Sequence, residues 1–281
     1  MKPPRGALLL LGVVLIVFAA LYVLPIAMTV RESFREFQPA RVGGLAGTWT
    51  LANYAVLLQP AYAGYFLDTF RISFIATLVG LVLAYPIAFY VARHRGILRT
   101  AWIALLVTML FLGTLVRAYS IALTLGPVGF LLPIARFLGL PPNGLTITEM
   151  VVICGLLHMV VPMMALTLVG TIGNINPRLE QAAQSLGAPR WRTFFEITVA
   201  LSAQGLLSGF LLGYALAISS FVIPLVLGRG FVLFATNLIY VRFQDTANYP
   251  SGAAIATVML VLSFGIVYGL THLVRRRLEM T

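Results

Sequence analysis

The 281-residue sequence is 60% hydrophobic and 10% charged, and its formal net charge at pH 7 is +11. A soluble domain carries about 25% charged residues, so this chain has too few charges to cover a water-soluble surface. Its 18 phenylalanines and 11 tyrosines also exclude a disordered or fibrous protein. The composition therefore predicts an integral membrane protein whose basic loops face anionic lipid, with no nucleic acid as a partner.

Several apolar stretches are long enough to cross a bilayer, whose core of about 30 Å requires about 20 helical residues. We predict an all-α membrane protein with six transmembrane helices, over residues 7–30, 70–92, 98–117, 150–172, 202–226 and 252–274. Pro86, Pro162 and Pro224 fall within these spans and predict bends. A further apolar run, 118–135, is interrupted by glycine and proline, which predicts a loop or broken helix at the membrane surface.

Basic residues cluster in several short segments. With six spans, these segments lie on the same side of the membrane, because an even number of spans separates them. These segments include Arg93-His94-Arg95 and, near the C-terminus, Arg275-Arg276-Arg277. Because basic residues in short loops favour the cytoplasm, both termini and the 176–197 loop are predicted to be cytoplasmic. The longer outer segment, residues 31–71, contains Trp49 and several tyrosines, which are typical of a membrane interface.

The sequence lacks the motifs of several catalytic and transport classes. Its single lysine, Lys2, excludes a nucleotide-binding P-loop, which requires a lysine after a glycine-rich turn. The three histidines, His94, His158 and His272, are far apart and form no metal-binding motif. No carboxylate lies at the centre of a predicted span, which disfavours an ion-coupled carrier. We therefore expect no enzymatic activity, metal or cofactor in this chain.

Polar side chains within the apolar spans are the candidates for a solute pathway. Bends at the prolines would allow the helices to hinge around a central passage. Each candidate has an alternative role, because polar residues in transmembrane helices commonly form hydrogen bonds between helices. The candidates are Tyr85, His158, Tyr214, Ser219 and Ser220.

The loop between the fourth and fifth spans, residues 176–197, predicts a short amphipathic helix. Asn176 is suited to the N-cap and Pro177 to the first helical position. Gly187 provides the C-terminal stop, and Pro189 prevents continuation of the helix. Such a helix either lies on lipid, anchored by the aromatic residues that follow it, or presents its apolar face to the groove of a soluble partner. The residues themselves favour neither alternative.

The same loop resembles the cytoplasmic loop of binding-protein-dependent ABC importer permeases, whose pattern is E-A-A, three residues, G, nine residues, I-x-L-P. Gln181-Ala182-Ala183, Gly187 and Ile197 occupy the leading positions of this pattern. Gln181 replaces its acid, beside Glu180, and Val199-Ala200 replaces its Leu-Pro. Further segments are similar to the first permease of spermidine/putrescine importers: residues 51–54 (LANY), 85–90 (YPIAFY), 115–120 (LVRAYS), 221–228 (FVIPLVLG) and 249–254 (YPSGAA).

The resemblance implies the six-helix bundle of a type I ABC importer permease in a bacterial inner membrane, with a cytoplasmic coupling helix. It also implies a second permease subunit, two ATP-binding subunits that hold ATP and Mg²⁺, and an extracytoplasmic solute-binding protein. This chain would then be a non-catalytic subunit, because its partners hydrolyse ATP. The residues implied in coupling to an ATP-binding subunit are Glu180, Gln181, Ala182, Ala183, Ser185, Leu186, Gly187 and Arg190.

The resemblance further implies a polyamine as the transported solute. A polycation is bound by carboxylates and aromatic rings, and Asp68, Glu149 and Asp245 lie near the outer ends of predicted spans. Each of these acids has an alternative role as a solvated residue at the membrane interface. Permeases for amino-acid-like compounds, opines, thiamine, phosphonate or iron are alternatives, as are an ion-coupled carrier or channel and a membrane assembly or sensor subunit.

Overall fold

The computed structural model describes residues 5–38, 47–126, 129, 133, 137, 139, 141 and 144–278. Within these residues, four helices are long and apolar enough to cross a membrane, and the number rises to six if each of two bent helix pairs is one span. This confirms the predicted all-α membrane class. The chain divides into two compact units: residues 1–66 with 235–262, and residues 67–234 with 263–281.

The first unit begins with an apolar span built from three consecutive helical segments. Helix α1, Arg5–Phe18, continues through a π-helical turn, Ala19–Val23, into helix α2, Leu24–Ser33. No side chain in its most apolar 18-residue window is buried. A helix with exposed apolar residues on every side is unfavourable in water, because water would contact its whole apolar surface. Such a helix is stable in lipid or against a partner.

The segment after α2 is held by polar and aromatic contacts. The Arg35 guanidinium lies 4.5 Å from the ring centroid of Trp49, and the hydroxyls of Ser33 and Tyr54 are 2.6 Å apart. Tyr54 belongs to a short helix, α3, Ala52–Leu57. These contacts stabilise the part of the predicted interfacial segment that the structure describes, outside residues 39–46.

Helix α4, Pro60–Arg93, is the longest described helix, with 34 residues. It contains the predicted span 70–92 and begins ten residues before it. A helix of this length measures about 50 Å, which exceeds the bilayer core of about 30 Å. Its N-terminal turns therefore extend out of the hydrocarbon region.

Helices α5, Ile97–Phe111, and α6, Thr114–Leu125, meet at an angle of 100°. The bend occurs at Gly113, and Arg117 of α6 is buried with 3% exposure. Its guanidinium donates to the carbonyl oxygens of Met109 and Leu112, at the end of α5. The helix over the predicted span 98–117 therefore breaks after Phe111, and the span stays a prediction that counts only if the bent pair crosses the membrane as one span. The predicted surface segment 118–135 is helical as far as Leu125, and most of its remainder lies outside the described residues.

Helix α7, Leu145–Gly173, is largely apolar, and twelve of its residues are buried in the second unit. It contains the predicted span 150–172 and the predicted internal proline, Pro162. Gly80 of α4 allows a close approach to it, because a Cβ there would lie 3.3 Å from Val160 Cγ1. Core residues of α4 and α7 with no exposure include Ala76, Ala84, Ala88, Val152, Leu156, Val160, Met164 and Leu168.

The second bent pair follows the loop after α7, which contains helix α8, Pro177–Ser185. Helix α9, Arg190–Thr193, continues through a π-helical turn, Phe194–Val199, and this segment meets α10, Ala203–Ile218, at 68°. Helix α11, Val222–Leu227, is separate from α10. The helix within the predicted span 202–226 therefore breaks after Ile218, and Pro224 belongs to the short helix α11.

Two helices with a π-helical turn between them form the C-terminal part of the described chain. Helix α12, Ala235–Tyr240, leads into a π-helical turn, Val241–Asp245, and then helix α13, Tyr249–Leu278, runs for 30 residues. Helix α13 contains the predicted span 252–274. In the first unit, Arg242 donates a 2.6 Å hydrogen bond to the hydroxyl of Tyr62, which fixes the π-helical turn against the start of α4.

Candidate functional site

Helix α8 has the caps that its sequence predicts. The Asn176 side chain accepts a 3.0 Å hydrogen bond from the amide of Arg178, and Pro177 is the first helical residue. Gly187 has φ of +89°, and its amide donates to the carbonyl of Gln184 over 3.0 Å. A left-handed glycine ends a helix without the steric cost of a side chain. The local sequence alone therefore defines both ends of this helix.

The outer surface of α8 combines small and apolar side chains. None of its nine residues is buried, and the side chain of Leu179 is 47% exposed. Leu186, directly after the helix, is 89% exposed. An exposed apolar face on a short, well-capped helix is the feature by which helices bind a hydrophobic groove. The exposed members of the predicted coupling set are Gln181, Ala182, Ser185, Leu186, Gly187 and Arg190.

The inner side of α8 is attached to the helical bundle through Glu180. Its Oε1 atom accepts hydrogen bonds from Arg93 Nη2, at 2.6 Å, and from Thr198 Oγ1, at 2.8 Å. Arg93 Nη1 also donates to the carbonyl oxygen of Ile175 over 2.9 Å. Glu180 therefore interacts within the chain, whereas Ala183 is half-buried beside it. Sequence reasoning missed Arg93 and Thr198, because the hydrogen bond between Arg93 and Glu180 joins residues 87 positions apart.

The aromatic residues that follow α8 are divided between two environments. Phe194 packs edge-on against Tyr85 and Phe89 of α4, with ring centroids 5.6 and 5.2 Å apart. Trp191 and Phe195 are 68% and 61% exposed, as expected for side chains at a membrane interface or partner surface. Of the aromatic residues predicted to anchor this loop, Phe194 therefore packs inward and fixes the π-helical turn to α4.

Two of the predicted pathway tyrosines are buried between helices of the second unit. The hydroxyl of Tyr85 lies 2.9 Å from the Ser202 hydroxyl, and Tyr214, with 2% exposure, donates to the carbonyl of Phe70 over 3.5 Å. Both tyrosines therefore make the interhelical hydrogen bonds that were their alternative role. Ser202 is a further polar residue that sequence reasoning did not select.

Histidine and serine candidates have different surroundings. The His158 side chain is half-buried, and its Nδ1 atom has no hydrogen-bond partner among the residues that the structure describes. Ser219 is exposed and donates to the carbonyl of Leu216 in its own helix over 3.1 Å. Ser220 is buried. Within the described ranges, no group of three or more His, Cys, Asp or Glu side chains could hold a metal ion.

The structure brings two of the three predicted carboxylates together through an arginine. Arg71 Nη2 lies 3.2 Å from Asp68 Oδ1 and 2.5 Å from Glu149 Oε1. This cluster joins α4 to α7 and has a formal charge of −1, because one guanidinium faces two carboxylates. Asp245 belongs to the first unit, where it is exposed at the end of the π-helical turn. Arg71 was not selected from the sequence, although its position three residues after Asp68 is typical of a helical ion pair.

Comparison with known proteins identifies the family of this chain. No protein-family model matches the sequence. The spermidine/putrescine transport system permease protein PotB of Haemophilus influenzae is 31% identical over 236 residues, which cover 82% of each chain. PotB of Escherichia coli K12 is 30% identical over 237 residues, 83% of this chain and 86% of that protein. The chain belongs to the PotB permease family.

A solved structure confirms the fold of this PotB-family chain. One match is a bacterial alginate ABC transporter in complex with an alginate-pentasaccharide-bound periplasmic protein, at a TM-score of 0.76 and 16% identity. The match covers 98% of this chain and 96% of that chain. At this level of identity the likeness is one of fold. Together with the PotB relatives, this fold makes the chain a multi-pass inner-membrane permease subunit of the ABC importer type.

Proposed function

We propose that this chain forms half of the membrane pathway of an ATP-driven polyamine importer and receives the movement of a separate ATPase through α8. The observation that carries the proposal is α8 itself, a capped helix with an exposed apolar face that is fixed to the bundle at Glu180. A rigid helix of this kind transmits displacement as a unit. Closure of the ATPase would then change the orientation of the helices attached to it.

The proposed partners follow from what the chain does and does not contain. Its only lysine lies at position 2, so ATP and Mg²⁺ would be bound by two separate ATP-binding subunits. A second permease subunit would complete the pathway. An extracytoplasmic solute-binding protein would deliver the solute, as the alginate transporter is seen in complex with a periplasmic protein. These assignments leave this chain without a catalytic role.

The proposed solute is spermidine or putrescine, on which the names of the PotB relatives agree. The cluster of Asp68, Arg71 and Glu149 is compatible with this solute, because its excess carboxylate favours an ammonium group. Tyr85 and Tyr214 are buried and would stabilise the helices around the pathway rather than bind solute strongly. Selection of the solute would then rest mainly with the solute-binding protein.

The proposed orientation places both termini and α8 in the cytoplasm of a bacterial cell. Arg93, His94 and Arg95 are at the end of α4 that adjoins α8. The positive-inside rule assigns this end to the cytoplasm. The cluster around Arg71, at the opposite end of α4, would then face the periplasm.

Reconstitution tests the proposal. Proteoliposomes that contain the two permeases and the ATP-binding subunits, supplied with solute-binding protein, should take up radiolabelled spermidine or putrescine only with ATP. Gly187→Arg should reduce uptake at least about ten-fold, because an arginine at φ of +89° is strained and alters the end of α8. Membrane insertion should be unaffected.

Gly230→Arg is the matched control for this substitution. Gly230 has φ of +80°, and a Cβ at either glycine would have open space around it. It follows α11 and lies away from α8 in the chain, so uptake should be retained. Absence of ATP-dependent polyamine uptake by the unsubstituted complex would contradict the proposed function. Full uptake with Gly187→Arg would contradict the coupling role of α8.

A further inference from the structure

Four segments of the second unit meet at one largely buried ion pair. Arg93 is the last residue of α4, and Glu180 lies in the first turn of α8. Their side chains are only 12% and 17% exposed. Thr198, in the π-helical turn before α10, is buried and donates to the same carboxylate oxygen. The carbonyl of Ile175, two residues after the end of α7, accepts the second Arg93 hydrogen bond. We call these four residues the coupling anchor.

The coupling anchor differs from an ordinary surface ion pair. Arg192 and Glu196, in the same loop, form an ion pair whose side chains are 58% and 61% exposed. Exposed pairs of this kind contribute little, since water solvates both charges. The Arg93–Glu180 pair is much less exposed, and the less water reaches a pair, the more unfavourable it is to remove one member and leave the other charge without compensation. The anchor is therefore the firm attachment of α8, and the Arg192–Glu196 pair is not.

Each charge of the anchor also lies at the helix end that favours it. The positive Arg93 is at the C-terminus of α4, and the negative Glu180 is in the first turn of α8, so both interact favourably with the helix dipoles. The two side chains thus join the ends of two rigid helices. A displacement of α8 would reach α4 without passing through the intervening chain.

We propose that Arg93 is the positioning residue that transmits movement of α8 to α4, through Glu180. This inference rests on the proposed coupling function of α8. Through Thr198 and Ile175, the same anchor carries the movement to α10 and α7. With the anchor intact, one displacement of α8 moves three transmembrane helices together. Without it, α8 is connected to them by its flanking backbone, and ATP hydrolysis continues with little transport.

The test compares Arg93→Gln with Arg95→Gln in the reconstituted complex. Both substitutions remove one positive charge near the same end of α4, but Arg95 is exposed. Arg93→Gln should lower uptake per ATP hydrolysed by about ten-fold, with the concentration of solute-binding protein for half-maximal uptake unchanged. Arg93→Lys keeps the charge but loses the second guanidinium donor, and should restore part of the uptake. Equal uptake per ATP in Arg93→Gln and Arg95→Gln would overturn the proposal.

A spin-label measurement decides the inference independently of transport. Labels at Gln184→Cys on α8 and Val82→Cys on α4, both exposed positions, report the distance between these helices after Cys154→Ser. The purified complex should give a narrow distance distribution with Arg95→Gln and a broad one with Arg93→Gln. If Arg93→Gln prevents assembly, Thr198→Val removes one hydrogen bond of the anchor with little change in shape, and should broaden the distribution to a smaller extent.

The two measurements separate failure of the inference from failure of the proposed function. If the unsubstituted complex shows no ATP-dependent uptake while Arg93→Gln broadens the distance distribution, the anchor stands and the proposed function fails. If uptake is normal in the unsubstituted complex and an assembled anchor variant keeps a narrow distribution, the anchor is overturned and the proposed function stands.

Discussion

Arg117 shows how a single charged residue can be accommodated inside the membrane-spanning part of the chain. Its side chain is almost fully buried, and its guanidinium donates to two carbonyl oxygens at the end of α5. The last carbonyls of a helix have no partner within the helix, and a cation at this end is favoured by the helix dipole. Arg117 therefore caps α5 and fixes the bend that follows.

Arg117→Met should destabilise the second unit. The substitution relieves the burial of a charge, but it leaves the carbonyls of Met109 and Leu112 without this donor. We expect the free energy of unfolding to fall by about 2 kcal/mol, the usual range for hydrogen bonds to a charged group. Thermal unfolding of the purified complex measures the change.

Arg99→Met is the control for this experiment, because Arg99 is exposed on α5. Surface substitutions usually change stability by less than about 0.5 kcal/mol. Equal unfolding midpoints for the two variants would show that Arg117 does not cap α5.

At the scale of elements, the close packing of α7 and α10 depends on a glycine. A Cβ built on Gly205 would lie 2.6 Å from Thr171 Cβ and 2.5 Å from its Cγ2. Threonine is branched at Cβ and cannot move these atoms away easily. Small residues are the usual means by which transmembrane helices approach closely, so Gly205 sets the separation of this pair.

Gly205→Ala should therefore force α10 away from α7 and destabilise the protein by about 1–3 kcal/mol, as overpacking does elsewhere. Gly170→Ala is the matched control, since a Cβ at Gly170 would have nothing within 4 Å. Alanine is also the better helix former, so this control should leave the unfolding temperature unchanged or raise it. A fall of equal size in both variants would contradict the packing argument.

For the whole molecule, the distribution of basic residues predicts which ends of the helices face the cytoplasm. Arg93 and Arg95 lie beside α8, and the connection after α11 contains Phe231, which is 54% exposed. An odd number of membrane crossings between these segments would place them on opposite sides. The proposed orientation assigns α8 to the cytoplasm and Phe231 to the periplasm.

Labelling with a membrane-impermeant maleimide tests this orientation in cells. In a Cys154→Ser background, Phe231→Cys should react when the reagent has access to the periplasm alone. Gln184→Cys, on α8, should react only after the inner membrane is permeabilised. The reverse pattern would place α8 outside the cell and would contradict the proposed contact with an ATPase.

The parts of the fold that depend on local sequence were predictable. Asn176, Pro177 and Gly187 define α8 from neighbouring residues, because capping requires only hydrogen bonds within one or two turns. The apolar spans were also predictable, since their length and hydrophobicity suit lipid. The helix breaks after Phe111 and Ile218, inside the predicted spans 98–117 and 202–226, were not predicted, because they depend on packing between helices.

The sequence by itself determined that lipid surrounds this protein, that no P-loop is present and that a capped helix follows the fourth span. Only the tertiary structure decided which charges meet. Arg93 and Glu180 are 87 residues apart, Arg71 and Glu149 are 78 apart, and Tyr85 and Ser202 are 117 apart. Hydropathy and capping depend on adjacent residues, whereas these contacts depend on how separate helices pack. The proposed pathway of coupling therefore became visible in the packing of α4, α7, α8 and α10.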